Sequence, residues 1–300
     1  MNFYIVMQGR AFEEERKASV ICSEIFNKKG EIPHFWGRMQ EVVKGDVIFH
    51  YDKGAIVAIS RATSNCFEAP IPYRPNVPGF VVQTNYIELE QPIHVKANFH
   101  DIQPLLPVKY AAFQDNADGN QGYLYPCNEM LAIKLLELTS DLNIYLDIEE
   151  QLEFAISAVV IKERNELATL ISTAIHETQV KLRRSQHKFK QVLVEKWQDQ
   201  CAVCGMNVPE LLVATYAKPM KDCSHEERIN PMNGLLLCAN HSALYRNGLI
   251  SFDGTGKIHI SPKLPEEHYD QLFISPKLKV NREQSHKPFY KWHKKYIFKK

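Results

Sequence analysis

Four residues of the sequence are spaced as the two halves of a metal knuckle. Cys201 and Cys204 form a C-x2-C pair followed by Gly205, and thirty-four positions after Cys204 come Cys238 and His241, a C-x2-H pair. Zinc takes four tetrahedral nitrogen or sulfur ligands, and a two-residue gap lets one tight turn supply two of them. A single C-x2-C could equally be a redox pair. Two half-sites at this separation point instead to structural zinc, because four protein ligands leave no coordination position open. Cys22, Cys66, Cys127 and Cys223 have no such partners and read as ordinary thiols.

Charge supplies the second chemical signal. The net charge of +1 over 300 residues conceals a division: residues 1–150 hold 13 Lys and Arg against 20 Asp and Glu, whereas residues 181–300 hold 21 against 11. A basic half implies a polyanionic partner, most often nucleic acid. Residues 277–300 are the extreme, with nine Lys and Arg against one acid, interleaved with Phe289, Tyr290, Trp292 and Tyr296. Lys287, Lys291, Lys294 and Lys295 are the candidate phosphate contacts, and a solvated basic tail is the plain alternative. The chain is 45% hydrophobic and 24% charged, a globular composition. Its apolar runs fall far short of the roughly 20 residues a membrane span needs, so no membrane partner is expected. MNFYIVMQGRAFEEERK lacks a basic region followed by an apolar stretch and a cleavage site, so a cytoplasmic location is expected. Seven cysteines are an odd number, and too sparse in a chain of this length for a disulfide framework.

The elements that must position these groups fall into three stretches. FYIVMQG, GDVIFHY and GAIVAIS read as strands, the last two joined through Asp52, Lys53 and Gly54 as a hairpin. Prolines at 70, 72, 75, 78, 92, 104 and 107 predict loops or edge strands of a small barrel, without long elements. From about Asn128 the period becomes helical, and IEEQLEFAISAVVIKERNELATLISTAIHETQVKLRRSQHKFKQVLVEKW runs without Pro or Gly. Its apolar positions are too irregular for coiled-coil heptads, so it reads as a helical connector. A dimerising helix, and with it a homodimer, is the alternative. Beyond it, LLVATYA and LISFDGTGKIHIS are strand-like, with Gly254 and Gly256 marking a hairpin. The expected fold is α+β, with boundaries at 1–145, 146–187 and 188–300.

RRSQHKFKQVLVEKWQDQCAVCG, LLVATYAKPM, EERINPMNGLLLCANHSALYRNGLISF and FYKWHKKYIF together resemble the HNH endonuclease domain of restriction enzymes. The resemblance implies a ββα-metal fold in which a hairpin and a helix grip one catalytic metal beside DNA phosphate. That chemistry needs a histidine as general base, an asparagine to orient it, and carboxylate or histidine metal ligands. The base position falls on Tyr216, and an acidic position on the same strand falls on Val213. The asparagine is kept as Asn233 and the zinc histidine as His241, but the catalytic-metal histidine that should follow is Ser242, and a later Asp is Arg246. A tyrosine of pKa ~10 is a poor base at neutral pH. The resemblance therefore implies a zinc-stabilised HNH module with impaired catalysis, needing Mg or Mn only if it is active. His225 in DCSHEER is the one nearby imidazole that could substitute, and it reads as a solvated loop residue.

FYIVMQG, HFWGRM, VVKGDVIFHYDKGAIVAIS and GYLYP resemble the PUA-like modules that include EVE and YTH domains. Such a module implies a β-barrel that accepts a flipped base in an aromatic pocket. Trp36, His34, Ser60, Arg61 and Tyr123 are the candidate pocket residues. The two resemblances together imply a modification-dependent restriction or phage-defence protein that binds modified duplex DNA. The alternatives are an active modification-dependent HNH endonuclease and an RNA or nucleotide sensor.

Overall fold

The computed structural model describes residues 1–143 and 158–300, with the side chains of 158–164 and of His225 outside the description. They form two compact units, Met1–Thr178 and Gln179–Lys300. Each mixes helix and strand. The first part of the expected connector, 146–157, lies outside the described residues, and no described helix is long and apolar enough to cross a membrane.

The first unit runs β1 (Phe3–Met7), α1 (Phe12–Lys17), β2 (Val20–Glu24), α2 (His34–Gly37), β3 (Val47–Asp52), β4 (Ala55–Ala62), β5 (Phe67–Ile71), β6 (Arg74–His94), α3 (Phe99–Ile102), β7 (Leu124–Cys127) and α4 (Glu129–Asn143). The strands form one sheet in the order β2-β6-β4-β3-β1-β7, with β5 added on β6. β1 lies between β3, to which it is parallel, and β7, to which it is antiparallel. A central strand covered on both faces must be apolar throughout, which is why Phe3, Tyr4, Ile5 and Val6 follow one another without a polar break. Phe3, Ile5, Phe49 and Ile59 pack on one face against Leu131 and Leu135 of α4. Tyr4, Val6 and Ile48 pack on the other with Ile21, Met39 and Val42.

The expected hairpin is present. β3 and β4 pair antiparallel across Lys53 and Gly54, both at positive φ (45° and 93°), the backbone that matches the twist of tight hairpins. Two expectations need correction. The prolines predict short elements, yet β6 is 21 residues long. Its prolines stand where the ladder is already irregular: Pro78 faces Pro70 beside a register shift, and Pro92 falls between Glu88, paired with Ala58, and Ile93, paired with Ile56. A missing amide hydrogen costs little at a bulge. The barrel is also an open half-barrel, because β2 and β7 are the two ends of the strand path. The Tyr123 hydroxyl, just before β7, partly closes the gap by accepting the Cys22 amide of β2 at 2.8 Å.

A 39-residue helix, α5 (Ala158–Lys196), carries core residues of both units. Leu167, Leu170, Ile171 and Ala174 belong to the first core, and Phe189 and Leu193 to the second. The second unit continues with β8 (Leu212–Tyr216), α6 (His225–Ile229), β9 (Gly234–Cys238), α7 (Ala239–Arg246), β10 (Ile250–Phe252), β11 (Ile258–Ile260) and α8 (Lys287–Tyr296). β8 pairs with β9, and β10 with β11, both antiparallel. α7 packs on the β8–β9 hairpin.

α5 reaches this hairpin over bare backbone at Gly234, where an added Cβ would stand 2.5 Å from Phe189 Cζ and 2.7 Å from Leu193 Cδ1. Gly234→Val is therefore expected to destabilise the second unit by about 1–3 kcal/mol, the usual penalty of overpacking. A urea midpoint equal to that of the wild type would contradict this packing.

Candidate functional site

The metal ligands are set by local backbone. Gly205, at φ 73°, turns the chain after the first pair, and its amide donates to the Cys201 carbonyl at 2.9 Å. Cys238 ends β9 and caps α7, which places His241 in the helix's first turn. The four ligand atoms lie within 4.8 Å of one another. His241 Nδ1 stands 3.1 Å from Cys238 Sγ and 3.4 Å from Cys201 Sγ, close to the ~3.5 Å edge that zinc–sulfur and zinc–nitrogen bond lengths give a tetrahedron. The other ring nitrogen, Nε2, donates to the Leu272 carbonyl at 2.9 Å. That bond fixes the tautomer and leaves the Nδ1 lone pair free to ligate. Burial opposes ionisation of Cys201, but the adjacent His241 ring and hydrogen bonds from the amides of Cys204, Cys238 and Val203 bring its pKa down to about 6. The donor set therefore fits a metal ion. Among the described residues it is the one cluster of three or more His, Cys, Asp or Glu that can hold an ion.

The positions that the resemblance assigns to hydrolysis are committed to other bonds. The Tyr216 hydroxyl donates to the Arg228 carbonyl at 2.8 Å, and its ring stacks parallel on Phe189 at 4.0 Å. Burial raises its pKa well above the ordinary tyrosine value, further from a base. Ser242 is buried and accepts from Thr215 Oγ1 at 2.9 Å. Val213 is half-buried on the same strand, and Arg246 is exposed at the end of α7. Asn233, fully buried, works as a clamp on the loop after β8. Its Oδ1 accepts the Lys218 amide at 2.7 Å, and its Nδ2 donates to the Lys218 carbonyl, the Cys223 sulfur and the Glu227 carbonyl at 3.1, 3.1 and 3.2 Å.

In the first unit the five pocket candidates separate into three places. Ser60 and Tyr123 enter a buried polar network. The Ser60 hydroxyl lies 2.7 Å from His50 Nε2, and His50 Nδ1 lies 2.7 Å from Gln8 Oε1. Gln8 Nε2 reaches Tyr86 at 2.8 Å and also Glu15, whose carboxylate further accepts from Tyr123 at 2.7 Å and Tyr73 at 3.2 Å. Burial lowers the His50 pKa to about 3, so the ring is neutral. Burial likewise lifts Glu15 to about 7, against the hydrogen bonds of Gln8, Tyr123, Tyr73 and Cys22. Arg61 follows Ser60 on β4 and so points to the opposite face of the sheet, where it is half-buried.

His34 and Trp36 sit on α2 near the surface, with a platform around them that sequence reasoning missed. The His34 ring lies 5.3 Å from Tyr110, and the Arg38 guanidinium lies 5.3 Å above the same Tyr110 ring. Arg38 also donates to the Leu124 carbonyl at 2.7 Å, tying α2 to β7. Tyr110 is 56% exposed and held at φ 59°, an uncommon conformation for a bulky residue. Trp36 contacts the edge of Phe35 at 6.0 Å. The exposed rings of His34 and Tyr110, with the half-buried Trp36 and Arg38, offer stacking faces, whereas the Ser60 hydroxyl is already used inside.

The four tail lysines all lie on α8. Lys291 and Lys295 are exposed, while Lys287 and Lys294 are half-buried, with Lys294 Nζ 3.0 Å from His259 Nε2. The helix is held by Phe289, Tyr290 and His293, all buried.

Residues 201–253 match the family model described as HNH endonuclease. No curated protein matches the chain. Among solved structures, the chain is similar to a Rhodopseudomonas palustris protein solved by NMR, at 12% identity and TM-score 0.32 over 50% of this chain and 97% of that one. It is similar to a Pseudomonas putida protein, at 10% identity and TM-score 0.33 over 46% and 99%. It is likewise similar to human THYN1 protein, solved in complex with DNA containing 5-methylcytosine, at 12% identity and TM-score 0.32 over 46% and 98%.

Proposed function

We propose that the protein binds modified duplex DNA, with the first unit inspecting a base and the second gripping the backbone through a zinc-held HNH fold that has lost its hydrolytic groups. The observation that carries the reading is the state of the matched catalytic positions. Within the stretch that matches an HNH endonuclease, Tyr216 and Ser242 spend their hydroxyls on Arg228 and Thr215. No proton is abstracted from water by a hydroxyl bound this way, and neither residue supplies the imidazole or carboxylate a catalytic metal needs. What remains is binding. Zinc is the metal the Cys3His set suits, by ligand softness and tetrahedral spacing. Tyr110, His34 and Trp36 would take a flipped cytosine face to face, and the exposed lysines of α8 would hold phosphates. Such a reader would serve restriction or phage defence by marking modified DNA.

Full-length protein titrated against plain, methylated, hydroxymethylated and glucosylated duplexes is expected to prefer one modified form, with affinity falling steeply as salt rises. Trp36→Ala or Tyr110→Ala should weaken that preferred binding by about tenfold, the scale of one lost base–aromatic stack. No cleavage is expected with Mg or Mn. Equal affinity for all four duplexes would remove the reader, and metal-dependent cleavage that survives Tyr216→Phe would remove the impaired-nuclease reading.

A further inference from the structure

Within the second unit, α5 carries charge of one sign only over more than four turns. Residues 178–194 hold Lys181, Arg183, Arg184, Lys188 and Lys190 and no Asp or Glu. The inward edge of this stretch is Leu182, Phe189 and Leu193, all buried. Phe189 stacks on Tyr216 at 4.0 Å, and Phe189 and Leu193 close over the bare backbone of Gly234. That packing fixes which residues face outward. Arg183, Arg184, His187, Lys188, Lys190 and Gln191 are all exposed. Among the described residues, no carboxylate pairs with Arg183, Arg184, Lys188 or Lys190. Arg184 and Lys188 stand at i and i+4, so like charges repel across one turn. A face that serves only solvation intersperses acids at such spacings, and here their absence leaves a positive field that a polyanion would neutralise.

The helical period sorts these cations into two rows. Arg183 and Lys190, two turns apart, share one edge of the exposed face, and Arg184 and Lys188 share the other, with His187 and Gln191 between them. The rows lie roughly 130° apart around the axis, which on a helix ~10–12 Å across its side chains separates them by about 10 Å. The major groove of B-DNA is ~12 Å wide, with phosphates along both walls and base edges on its floor. Duplex RNA has a deep, narrow major groove that side chains do not enter. An anionic membrane asks for apolar side chains in the middle of such a face, where His187 and Gln191 stand. The helix α8 offers less to a groove, since Lys287 and Lys294 are half-buried and Lys294 Nζ lies 3.0 Å from His259 Nε2.

We propose that this face of α5 docks in the major groove of duplex DNA, with Arg183 and Lys190 on the phosphates of one wall, Arg184 and Lys188 on those of the other, and His187 and Gln191 over the floor between them. The inference rests on the DNA-binding reading above and deepens it, adding a groove contact to the lysines of α8.

The test measures the affinity of full-length protein for a labelled duplex, plain or methylated, as salt is raised. Arg183→Gln, Arg184→Gln, Lys188→Gln and Lys190→Gln combined should weaken binding by about tenfold to a hundredfold and flatten the plot of log affinity against log salt by about 3–4, near 0.9 for each lost phosphate contact. The urea midpoint of the second unit should not fall, because all four side chains are exposed. Should the fourfold variant fail to fold, Arg184→Gln with Lys188→Gln carries half the change in slope. Methyl green, which occupies the major groove, should compete with the protein, whereas the minor-groove ligand netropsin should not. The opposite order of competition overturns the groove assignment. A fourfold variant that keeps the wild-type slope overturns the surface and leaves the DNA-binding reading standing. So does an equal flattening by Lys263→Gln, a single exposed cation in the loop after β11. Wild-type protein that binds neither duplex at low salt removes the DNA-binding reading itself, and the surface with it. A duplex RNA of the same sequence that binds more tightly, and is lost in the fourfold variant, overturns DNA as the partner.

Discussion

Removing the metal is expected to unfold Gln179–Lys300 and leave Met1–Thr178 folded. The Cys3His set joins the loop after α5, the end of β9 and the start of α7, and its second ring nitrogen holds the Leu272 carbonyl. Structural zinc contributes on the order of 10–16 kcal/mol to the folding of such knuckles, against about 5–15 kcal/mol for the whole stability of an ordinary domain. Chelation and Cys238→Ser should therefore act alike, abolishing the unfolding transition reported by Trp197 and Trp292 while the signal of Trp36 persists. Elemental analysis should give one zinc per chain. Freshly purified protein that holds no metal and still melts cooperatively in its second unit would sink the assignment.

Acid is expected to weaken the same unit through His293. This ring sits between β10 and α7: Nδ1 lies 2.9 Å from Ser251 Oγ, Nε2 donates to the Tyr245 carbonyl at 3.0 Å, and the ring stacks on Tyr245 at 3.7 Å. Burial lowers its pKa to about 4, with the Tyr245 bond partly opposing. The unfolded chain, at an ordinary value near ~6.5, binds the proton more readily than the folded one between these limits. The contribution is complete above about pH 6.5 and is lost as pH falls through about 4, amounting to roughly 3 kcal/mol at about 1.4 per pKa unit. His286, also lowered by burial, adds the same sign. Urea midpoints of the second unit should fall from pH 7 to pH 4.5. His293→Gln should be less stable at pH 7 by about 2–4 kcal/mol, since α8 loses its anchor, and should show a shallower pH dependence. An unchanged slope in that variant would show that His293 titrates normally.

The parts of this protein that were legible in sequence are those decided within a few residues. C-x2-C and C-x2-H fix their own turns, and Lys53 with Gly54 fixes a hairpin, so both survive without knowledge of the fold. The parts that were not legible depend on partners far along the chain. Glu15 looks like one more charge in the run Glu13–Glu14–Glu15, and only the sheet shows that it is fully buried beneath Tyr123 and Tyr73. Tyr110 carries no local signal either, because the His34 and Arg38 groups that make it a platform lie more than seventy residues earlier. β6 was hidden for the opposite reason: its prolines speak against a strand locally, and its bulges exist only opposite β4 and β5. Tyr216 was identified as a departure from the hydrolytic pattern, but its stacking on Phe189 comes from a helix that precedes it.

The position of β1 in the sheet also sets a schedule for making the protein. Phe3 pairs with Cys127 on one side and with Val47 on the other. At synthesis rates of ~5–20 residues per second, roughly 6–25 s separate the appearance of β1 from that of its last neighbour. Throughout that interval an apolar strand with an unpaired backbone edge waits in the nascent chain, the form most prone to pair with a second molecule. Chains ending before residue 124 should consequently yield aggregates rather than a smaller folded piece, and the full-length chain should depend on holding chaperones over its first unit more than over its second.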